Sequence, residues 1–596
     1  MIVCIAEKPS VAQEIARVLG ADRRCQGYFE GGGYQVTWTY GHLCELKAPE
    51  DYDERWKRWS LGALPIVPRP FGIRLKADKG VERQFAVIKK LFLEAGEIVN
   101  CGDAGQEGEL IQRWVLQLSG ARCPVKRLWI SSLTEESIRE GFASLRPSED
   151  YARLYEAGLC RAVGDWLLGI NATRAYTIKY GGQSRGERRE PLSVGRVQTP
   201  TLALIVERKR EIDEFKPEPY WVLTTKYRGV VLSATRGRFT VKAEAETALA
   251  KVRGEEFVVV SVLKKQGKEA PPRLFDLTSL QVECNRRLGL SAEQTLGVIQ
   301  SLYEKKLTTY PRVDTTFLPV EMHKKSGAIL NGLKDYAALL EPLRGRPLRK
   351  RTKVFDDKKI TDHHAIIPTG VAMRSDLSGD ERAVYDLVAR RFIGVFYPDL
   401  VFDQTTVVGR AGGVDFKVVG RHIVDEGWRS VVGAEPKAKG EEAEVETLPE
   451  MVEGERGEHE PALSEKVTTP PKPYTEATLL RAMETAGRLV EDEELRDALK
   501  ANGIGRPSTR AAIIETLLKR KYIERVRKSL QPTERGIGLI GLIRNRLLKS
   551  VELTGQWERK LRGIERGEVK GADFIAEMKA MVGDVVLEVL RGGSEE

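Results

Sequence analysis

Two acidic segments, far apart in the chain, carry the side chains best suited to binding a metal ion. Glu7-Lys8 follows a short apolar run at the N-terminus, and Asp103 and Glu107 follow a second run at 97–101. Both runs have the length of buried β-strands, and carboxylates at neighbouring strand ends can converge on one Mg²⁺, which prefers oxygen ligands. Taken alone, the Asp-x-x-x-Glu spacing is equally typical of a solvated helix start, where acids favour the positive end of the helix dipole.

A tyrosine just beyond a predicted helix is the candidate nucleophile. Tyr310 lies in the segment T-Y-P-R-V-D and follows a helical pattern over 291–306. The proline after it disfavours helical geometry at Tyr310. Its phenol oxygen can attack a phosphodiester while the Arg312 guanidinium clamps the phosphate. An isolated tyrosine of this kind more often serves packing, so the interpretation depends on the rest of the chain.

A pair of histidines forms the third candidate group. Asp362-His363-His364 precedes the apolar segment A-I-I-P. Adjacent histidines point in different directions, so by themselves they do not form a two-ligand metal site. One of them can hydrogen-bond a phosphate oxygen while Asp362 holds its tautomer. A structural histidine with satisfied hydrogen bonds is the alternative.

Three further segments combine arginines with small polar residues. They are the stretch around Arg161 and Asp165, the segment S-V-G-R-V-Q-T-P at 193–200, and the segment G-I-G-R-P-S-T-R at 503–510. The last of these opens an apolar helix, and hydroxyls and backbone N–H groups at a helix start can hold phosphates.

The elements that must position these residues alternate in type along the chain. Residues 1–150 read as strands alternating with helices, including a helix from Pro9 to Leu19, which predicts a parallel α/β domain with its ligands at the strand carboxyl ends. Residues 151–216 are mostly helical, 217–265 favour β-structure, and 273–400 return to helices, with a capping box predicted at 291–294.

The C-terminal part of the chain repeats this alternation. Residues 401–433 are again strand-like, and the acidic stretch 435–465 reads as a solvated loop or linker. Helices resume at Glu476 and end in an amphipathic segment from Phe574 to Val589. Because the β-pattern appears on both sides of a helical block, the chain is expected to leave a β-domain and return to it.

Composition excludes several classes of protein. Lys plus Arg number 96 against 86 Asp plus Glu, and this excess of 10 favours a polyanionic partner only weakly. The seven cysteines form no C-x-x-C pair, so neither a zinc ribbon nor a disulfide framework is expected. Charged residues interrupt every candidate membrane span, and the N-terminus lacks the pattern of a secretory signal. We therefore expect a cytoplasmic protein.

Seven motifs in order carry a resemblance to a known family. They are I-A-E-K-P-S at 5–10, G-D-A-G-Q-E-G-E at 102–109, D-W-L-L-G-I-N-A-T-R-A-Y at 165–176, the segment at 193–200, T-Y-P-R-V-D at 309–314, D-H-H-A-I-I-P-T at 362–369 and the segment at 503–510. This chain resembles the type IA DNA topoisomerases over nearly its whole length. Within that family, its motif sequences are similar to those of the bacterial topoisomerase III group.

The resemblance implies a multidomain fold of α/β, α and β parts, a Toprim domain within a toroidal type IA core. The Toprim domain would cover 1–150, and the tyrosine would lie in an inserted domain at 273–400. A helical DNA-binding domain would combine 151–216 with 470–596, and a β-arch would combine 217–272 with 401–469. An ATP-independent enzyme is implied, which cleaves one strand through a 5′-phosphotyrosine, passes a strand and religates. It would relax negative supercoils, decatenate DNA, or both.

The resemblance also assigns roles to residues. Glu7, Asp103 and Glu107 match the metal-binding acids, while Tyr310, Glu7, Lys8, Arg312 and His363 match the catalytic set. The segments that bind the single strand contribute Arg161, Asp165, Ser193, Val194, Gly195, Arg196, Val197, Gln198, Arg312, Arg506, Ser508 and Thr509, with Trp59 as a base-stacking candidate. Members of the family often have a middle acid where this chain has Gly105.

Cofactor and partners follow from the same resemblance. Mg²⁺ is the expected cofactor, without ATP because the phosphotyrosine ester conserves the bond energy, and without zinc. Single-stranded or underwound DNA is the expected partner, together with a helicase and a single-strand-binding protein. A monomer associated with the nucleoid is expected.

Two rival interpretations use the same residues differently. A Toprim primase or nuclease would share the acids but would have no use for Tyr310. A catalytically decayed DNA-binding relative would explain Gly105, yet the chain keeps Glu7, Lys8, Tyr310 and Arg312.

Overall fold

The computed structural model describes residues 1–181, 190–360, 363–433, 448–489 and 503–592. Asp362 and the residues of the acidic stretch from 435 to 447 lie outside the described residues. The described residues contain a mixed α/β region, helical regions and a large antiparallel sheet. This combination confirms the predicted fold class.

The first region is built on a seven-stranded sheet whose central strands are parallel. Ile2–Ala6 pairs in parallel with Tyr34–Trp38 on one side and Glu97–Cys101 on the other, and Ala6 lies opposite Cys101. The chain therefore leaves both central strands at the same sheet edge, carrying Glu7 and Asp103 with it. The strands lie in the order Arg23–Cys25, Tyr28–Gly31, Tyr34–Trp38, Ile2–Ala6, Glu97–Cys101, Val125–Arg127 and Arg146–Pro147.

Helices pack against this sheet, and the first of them begins and ends at the residues that the sequence marks as helix start and stop signals. Pro9–Leu19 has its proline in the first turn and ends at Gly20, whose φ of 72° is left-handed, as predicted. The other helices are Lys79–Glu94, Gln106–Ser119 and Glu135–Ala143. A small sheet of Cys44–Leu46 and Ile73–Leu75 and short 3₁₀ turns at Pro49–Asp51, Glu54–Lys57, Leu61–Ala63 and Ser148–Tyr151 complete the region.

Strands from two distant parts of the chain form one antiparallel seven-stranded sheet. Its order is Arg456–Gly457, Phe257–Glu269, Leu400–Ala411, Val414–Asp425, Val230–Phe239, Pro219–Tyr227 and Glu460–Val467. Two local predictions were wrong. Lys242–Val252 is a helix inside the stretch read as β, because its alanines, glutamates and leucine are good helix formers. Glu460–Val467 is an edge strand where a loop was predicted, because pairing with Pro219–Tyr227 supplies its backbone hydrogen bonds.

The helical block between the two halves of that sheet carries Tyr310. The predicted capping box is present, since Ser291 and Gln294 exchange side-chain and backbone hydrogen bonds at the start of Ala292–Glu304. The core around Tyr310 also includes Cys101 and Leu133 from the first region. The helices are Leu277–Leu288, Ala292–Glu304, Met322–Gly332, Ala337–Leu340 and Gly379–Gly394, with 3₁₀ turns at Lys334–Tyr336, Glu341–Leu343 and Asp357–Lys359.

The remaining helices pack around a second core. Ala152–Tyr180 lies against the C-terminal helices Val551–Arg566 and Gly571–Arg591, and the predicted apolar stripe from Phe574 to Val589 is buried there. The other elements of this part are Gln198–Asp213, Glu476–Glu484, the 3₁₀ turn Ala486–Leu489, Pro507–Lys519, the hairpin Ile523–Val526 and Ser529–Pro532, Glu534–Leu542 and Arg546–Lys549, whereas the short helix Arg429–Val432 packs against the core around Tyr310. Among the described residues, no helix is long and apolar enough to cross a membrane.

Candidate active site

Glu7 and Asp103 meet at the edge of the parallel sheet, as predicted. Both side chains are buried, and burial together with the charge of Asp103 raises the pKa of Glu7 to about 8. Burial also raises the pKa of Asp103, although Lys8 and Arg312 oppose that shift. Two carboxyl groups are therefore held close together in a place that disfavours two negative charges.

Glu107 differs from the other two acids in its surroundings. It lies in the first turn of Gln106–Ser119, and about half of its side chain is exposed. A hydrogen bond with His42 and the charge of Arg312 lower the pKa of Glu107. Nε2 of His42 lies 3.6 Å from one carboxylate oxygen of Glu107, and Nη1 of Arg312 lies 3.5 Å from the other. Glu107 is therefore ionised and already paired with the guanidinium of Arg312.

Gly105 precedes this helix in a conformation that other residues avoid. Its φ of 142° and ψ of 170° lie in a region populated almost only by glycine. A Cβ atom added there would meet no atom within 4 Å, so the obstacle to a side chain is backbone strain and not lack of space. The backbone conformation accounts for glycine at this position.

Arg127 shapes the acidic loop, and sequence reasoning missed it. Its guanidinium is fully buried and donates to the carbonyl oxygens of Gly102 at 2.7 Å and Asp103 at 2.9 Å. It also pairs with the buried carboxylate of Glu109. The only sequence signal was an arginine at the end of a short strand, which is also common on protein surfaces.

Tyr310 faces the acids from the neighbouring helical block. Its side chain is 6% exposed, and its backbone N–H donates to the carbonyl of Ser131 at 3.0 Å. Burial, and then the charge of Asp103, raise its pKa well above the usual value, while Arg312 opposes this. The phenol is close enough to Asp103 to lower the pKa of that carboxyl by hydrogen bonding.

Two basic side chains border the tyrosine and the acids. Arg312 is ion-paired with Glu107 through Nη1, and its buried Nε has no hydrogen-bond partner. The Lys8 ammonium lies 3.0 Å from a carboxylate oxygen of Glu304, at the end of the helix before the tyrosine segment. The structure thus brings Lys8 and Arg312 to the predicted site.

His363 also reaches this site and contacts the Tyr310 ring, with ring centroids 4.5 Å apart. Its Nε2 donates to the carbonyl of Ala104, and its Nδ1 lies 2.9 Å from the hydroxyl of Ser131. Burial lowers its pKa to about 4, so the ring is neutral at physiological pH. Ala104 and Ser131 hold the tautomer, a role that the sequence analysis gave to Asp362.

The acid cluster, defined as Glu7, Asp103 and Glu107, has the chemistry of a site for a divalent cation. Oδ2 of Asp103 is buried without a hydrogen-bond partner, and the repulsion between Asp103 and Glu7 would be relieved by a nearby positive charge. Among the described residues, no three acidic, histidine or cysteine side chains are arranged so that they could hold a metal ion together. A bound Mg²⁺ would therefore rely on water and substrate phosphate for further ligands.

Comparisons with known proteins agree with this geometry. A family model described as DNA topoisomerase matches residues 149–576, and a Toprim domain model matches residues 2–133. DNA topoisomerase 3 of Bacillus licheniformis is 38% identical over 602 residues, covering 98% of this chain and 81% of that protein. The chain belongs to the type IA DNA topoisomerases. It shows the same 38% identity to DNA topoisomerase 3 of Bacillus subtilis, over 98% of this chain and 81% of that protein.

A solved structure shares the fold of this type IA topoisomerase. Full-length topoisomerase I from Thermotoga maritima superposes with a TM-score of 0.74 at 24% identity, covering 98% of this chain and 90% of that one. The residues matched by the Toprim family model include the acid cluster, and those matched by the DNA topoisomerase family model include Tyr310. A primase or nuclease does not account for a family match of this extent, and against a decayed relative stands the retention of Glu7, Lys8, Tyr310 and Arg312.

Two of the predicted DNA-binding arginines of this topoisomerase, Arg161 and Arg196, lie in a largely buried ion-pair network. Arg161 donates to Glu558 at 2.9 Å, and Arg196 donates to Glu558 at 3.1 Å and to Asp165 at 3.0 Å. These four residues are called the arginine cluster below. Burial tends to raise the pKa of Glu558, but the charges of Arg161 and Arg196 hold it well below its usual value. Sequence reasoning missed Glu558, since a single glutamate in an amphipathic helix carries no local signal.

The other predicted DNA-binding residues are distributed around this cluster. Ser193 accepts a hydrogen bond from Gln198 at 2.8 Å, and Val194 and Val197 lie on the same loop. Gly195 donates its N–H to Thr199 at 3.0 Å, which holds the start of the helix Gln198–Asp213.

Two predicted contact regions lie in other parts of the chain. Arg506 occupies the N-cap position of the helix Pro507–Lys519 without a side-chain capping hydrogen bond, and its guanidinium lies 3.7 Å from the carboxylate of Glu565. The first turn of this helix includes Ser508 and Thr509. Trp59 is 39% exposed, and the guanidinium of Arg174 lies 5.0 Å from the centre of its ring.

Proposed function

We propose that Tyr310 is the nucleophile with which this topoisomerase cleaves one DNA strand. The observation that carries the proposal is the convergence of Tyr310, Asp103 and Arg312 in one buried site. The phenol oxygen would attack the phosphorus and form a 5′-phosphotyrosine, and the 3′ oxygen of the preceding nucleotide would leave. Reversal of this step religates the strand.

The proton transfers can be assigned to the two buried acids. Asp103, beside the phenol, is placed to accept the Tyr310 proton when it is ionised. Glu7, whose pKa is raised to about 8 in the metal-free site, can carry a proton there and donate it to the departing 3′ oxygen, whereas in its ionised form it would bind Mg²⁺. The two carboxyl groups are coupled, so the pair holds one shared proton more readily than two charges.

The basic residues would bind the scissile phosphate. Arg312 has an unpartnered Nε and a planar group that suits bidentate contact with a phosphate. Lys8 would exchange its partner Glu304 for a phosphate oxygen. His363 would orient the tyrosine ring and lies close enough to assist at the phosphate.

Mg²⁺ is the proposed cofactor, held by Glu7, Asp103 and Glu107. Toprim domains generally bind this ion, and it supplies positive charge that orients a DNA phosphate. No ATP is required, because the phosphotyrosine ester conserves the energy of the broken bond, and no zinc is proposed.

The proposed substrate is single-stranded or underwound DNA, since one strand must enter a groove as a lone chain. The segments containing Arg161, Asp165, Arg196, Gln198 and Arg506 would bind it, with Trp59 stacking on a base. Relaxation of negative supercoils and decatenation both follow from such strand passage. We further propose a monomer in the bacterial cytoplasm, at the nucleoid, working with a helicase and a single-strand-binding protein.

Replacement of the tyrosine tests the proposal directly. A single-stranded oligonucleotide carrying distinct labels at its two ends is incubated with the parent protein or with Tyr310→Phe, and the products are denatured. The parent should retain the label of the 3′ fragment on the protein, whereas Tyr310→Phe should bind DNA and form no adduct. Tyr303→Phe, which changes the neighbouring tyrosine, is the control. An adduct in Tyr310→Phe would overturn the assignment.

A further inference from the structure

Ser131 contacts the tyrosine segment from the Toprim side of the active site. It follows the strand Val125–Arg127 in the segment W-I-S-S-L-T, before the helix Glu135–Ala143. Its backbone carbonyl accepts the N–H of Tyr310 at 3.0 Å. One residue of the acid-bearing domain therefore fixes the backbone position of the proposed nucleophile.

The side chain of the same residue reaches His363. The carbonyl of Ala104 can only accept, so Nε2 of His363 carries the hydrogen that this bond requires. In the neutral ring Nδ1 is then an acceptor, and the Ser131 hydroxyl, 2.9 Å away, must be its donor. The hydroxyl thereby selects one tautomer and one orientation of the imidazole.

This orientation matters because the imidazole packs directly on the nucleophile. The rings of His363 and Tyr310 are 4.5 Å apart, while Trp129 lies nearly parallel to the imidazole on its other side at 6.2 Å. The ring of Tyr303 packs edge-on against the Tyr310 ring, with the two ring centroids 5.5 Å apart. Rotation of the imidazole would therefore change the space in which the phenol is held.

We propose that Ser131 is a positioning residue for cleavage, its carbonyl docking the tyrosine backbone and its hydroxyl orienting His363 against the Tyr310 ring. This inference rests on the proposed role of Tyr310. Both contacts join the Toprim part to the tyrosine-bearing part, so the docking of these parts and the alignment of the nucleophile depend on the same residue.

The decisive experiment compares two variants of the same shape. Ser131→Thr keeps the hydroxyl and Ser131→Val replaces it with a methyl group, so any packing disturbance is common to both. Single-turnover cleavage of an end-labelled oligonucleotide should be at least about tenfold slower in Ser131→Val than in Ser131→Thr. The dissociation constant for DNA, measured separately in a Tyr310→Phe background, should be the same for the two.

Two further variants separate this role from a general structural one. Ser132→Ala is the matched control, because the neighbouring hydroxyl bonds within its own segment at Thr134 and not to His363. In a His363→Gln background the difference between Ser131→Thr and Ser131→Val should vanish. Equal cleavage rates for Ser131→Thr and Ser131→Val, or a difference that persists without His363, would overturn the inference. An adduct in Tyr310→Phe would instead overturn the proposed function, so the two failures are distinguishable.

Discussion

The acid cluster and the arginine cluster place carboxylates in opposite electrostatic situations. In the acid cluster, burial and mutual repulsion raise the pKa of Glu7 to about 8 and leave one oxygen of Asp103 without a partner. In the arginine cluster, two guanidinium groups hold the pKa of Glu558 well below its usual value. The acid cluster therefore has too little positive charge to balance its carboxylates, whereas in the arginine cluster the guanidinium groups of the chain itself balance Glu558.

This difference fits the proposed roles, in which the acid cluster binds the cation and substrate and the arginine cluster links two helices. A cation and a phosphate bound with it can complete the acid cluster, so its unfavourable energy in the free protein is recovered on binding. The arginine cluster joins Ala152–Tyr180 to Val551–Arg566, and its charges are already satisfied. DNA phosphates at Arg161 or Arg196 would have to compete with Glu558.

The largest expected effect is on stability, from Glu558→Gln. Removing the shared anion leaves Arg161 without its carboxylate partner and leaves Arg196 with Asp165 alone, and breaking such a buried pair typically costs about 3–5 kcal/mol. Urea denaturation should show this loss. Glu577→Gln, which breaks an exposed pair with Lys560, should cost less than about 1 kcal/mol. Glu7→Gln should leave the free energy of unfolding unchanged or raise it. A loss as large as that of Glu558→Gln would contradict the difference between the two clusters.

Arg312→Lys should be almost as damaging, but to the reaction and not to the fold. Lysine keeps the charge but cannot hold a phosphate bidentately, and losing one preorganised contact costs about 3–4 kcal/mol in the transition state. Single-turnover cleavage should slow by roughly 10²–10³ with little change in DNA affinity. Arg374→Lys, at an exposed pair with Asp376, is the control. An unchanged rate in Arg312→Lys would contradict the proposed phosphate contact.

Acid should destabilise the active site through its buried histidine. The pKa of His363 is about 4 in the folded protein against 6.5 in a free side chain, so the unfolded chain takes up the proton first. Stability from this residue is present above pH 6.5 and is lost as the pH falls toward 4, by up to about 3 kcal/mol. His363→Gln should reduce this acid-side loss, whereas His422→Gln, at an exposed position, should not. Identical pH profiles for both variants would refute the prediction.

The smallest expected effect comes from adding a carboxylate to the acid cluster. Gly105→Asp forces a side chain into a conformation that costs about 1–3 kcal/mol, and Gly105→Ala should show the same loss without the acid. In a Mg²⁺ titration of plasmid relaxation, Gly105→Asp should need less Mg²⁺ than Gly105→Ala. Equal requirements would show that a fourth carboxylate was never limiting.

Much of the site was predictable from the sequence because its signals are local. The strands before Glu7 and Asp103, the capping box at Ser291 and the helix end before Tyr310 each depend on residues a few positions apart. The seven motifs likewise identify the family. The catalytic roles and the domain boundaries remain predictions.

Only the tertiary structure decided which groups those residues meet. Ser131, Arg127 and Glu558 act on partners that are in part hundreds of residues away, and no spacing along the chain announces such contacts. The edge strand Glu460–Val467 was missed for the same reason, since its hydrogen bonds come from residues 219–226. The pKa shifts could not be predicted from the sequence either, because a pKa depends on burial and on neighbours in space. The sequence therefore determined which chemical groups are present, and folding decided which of them are left without a partner.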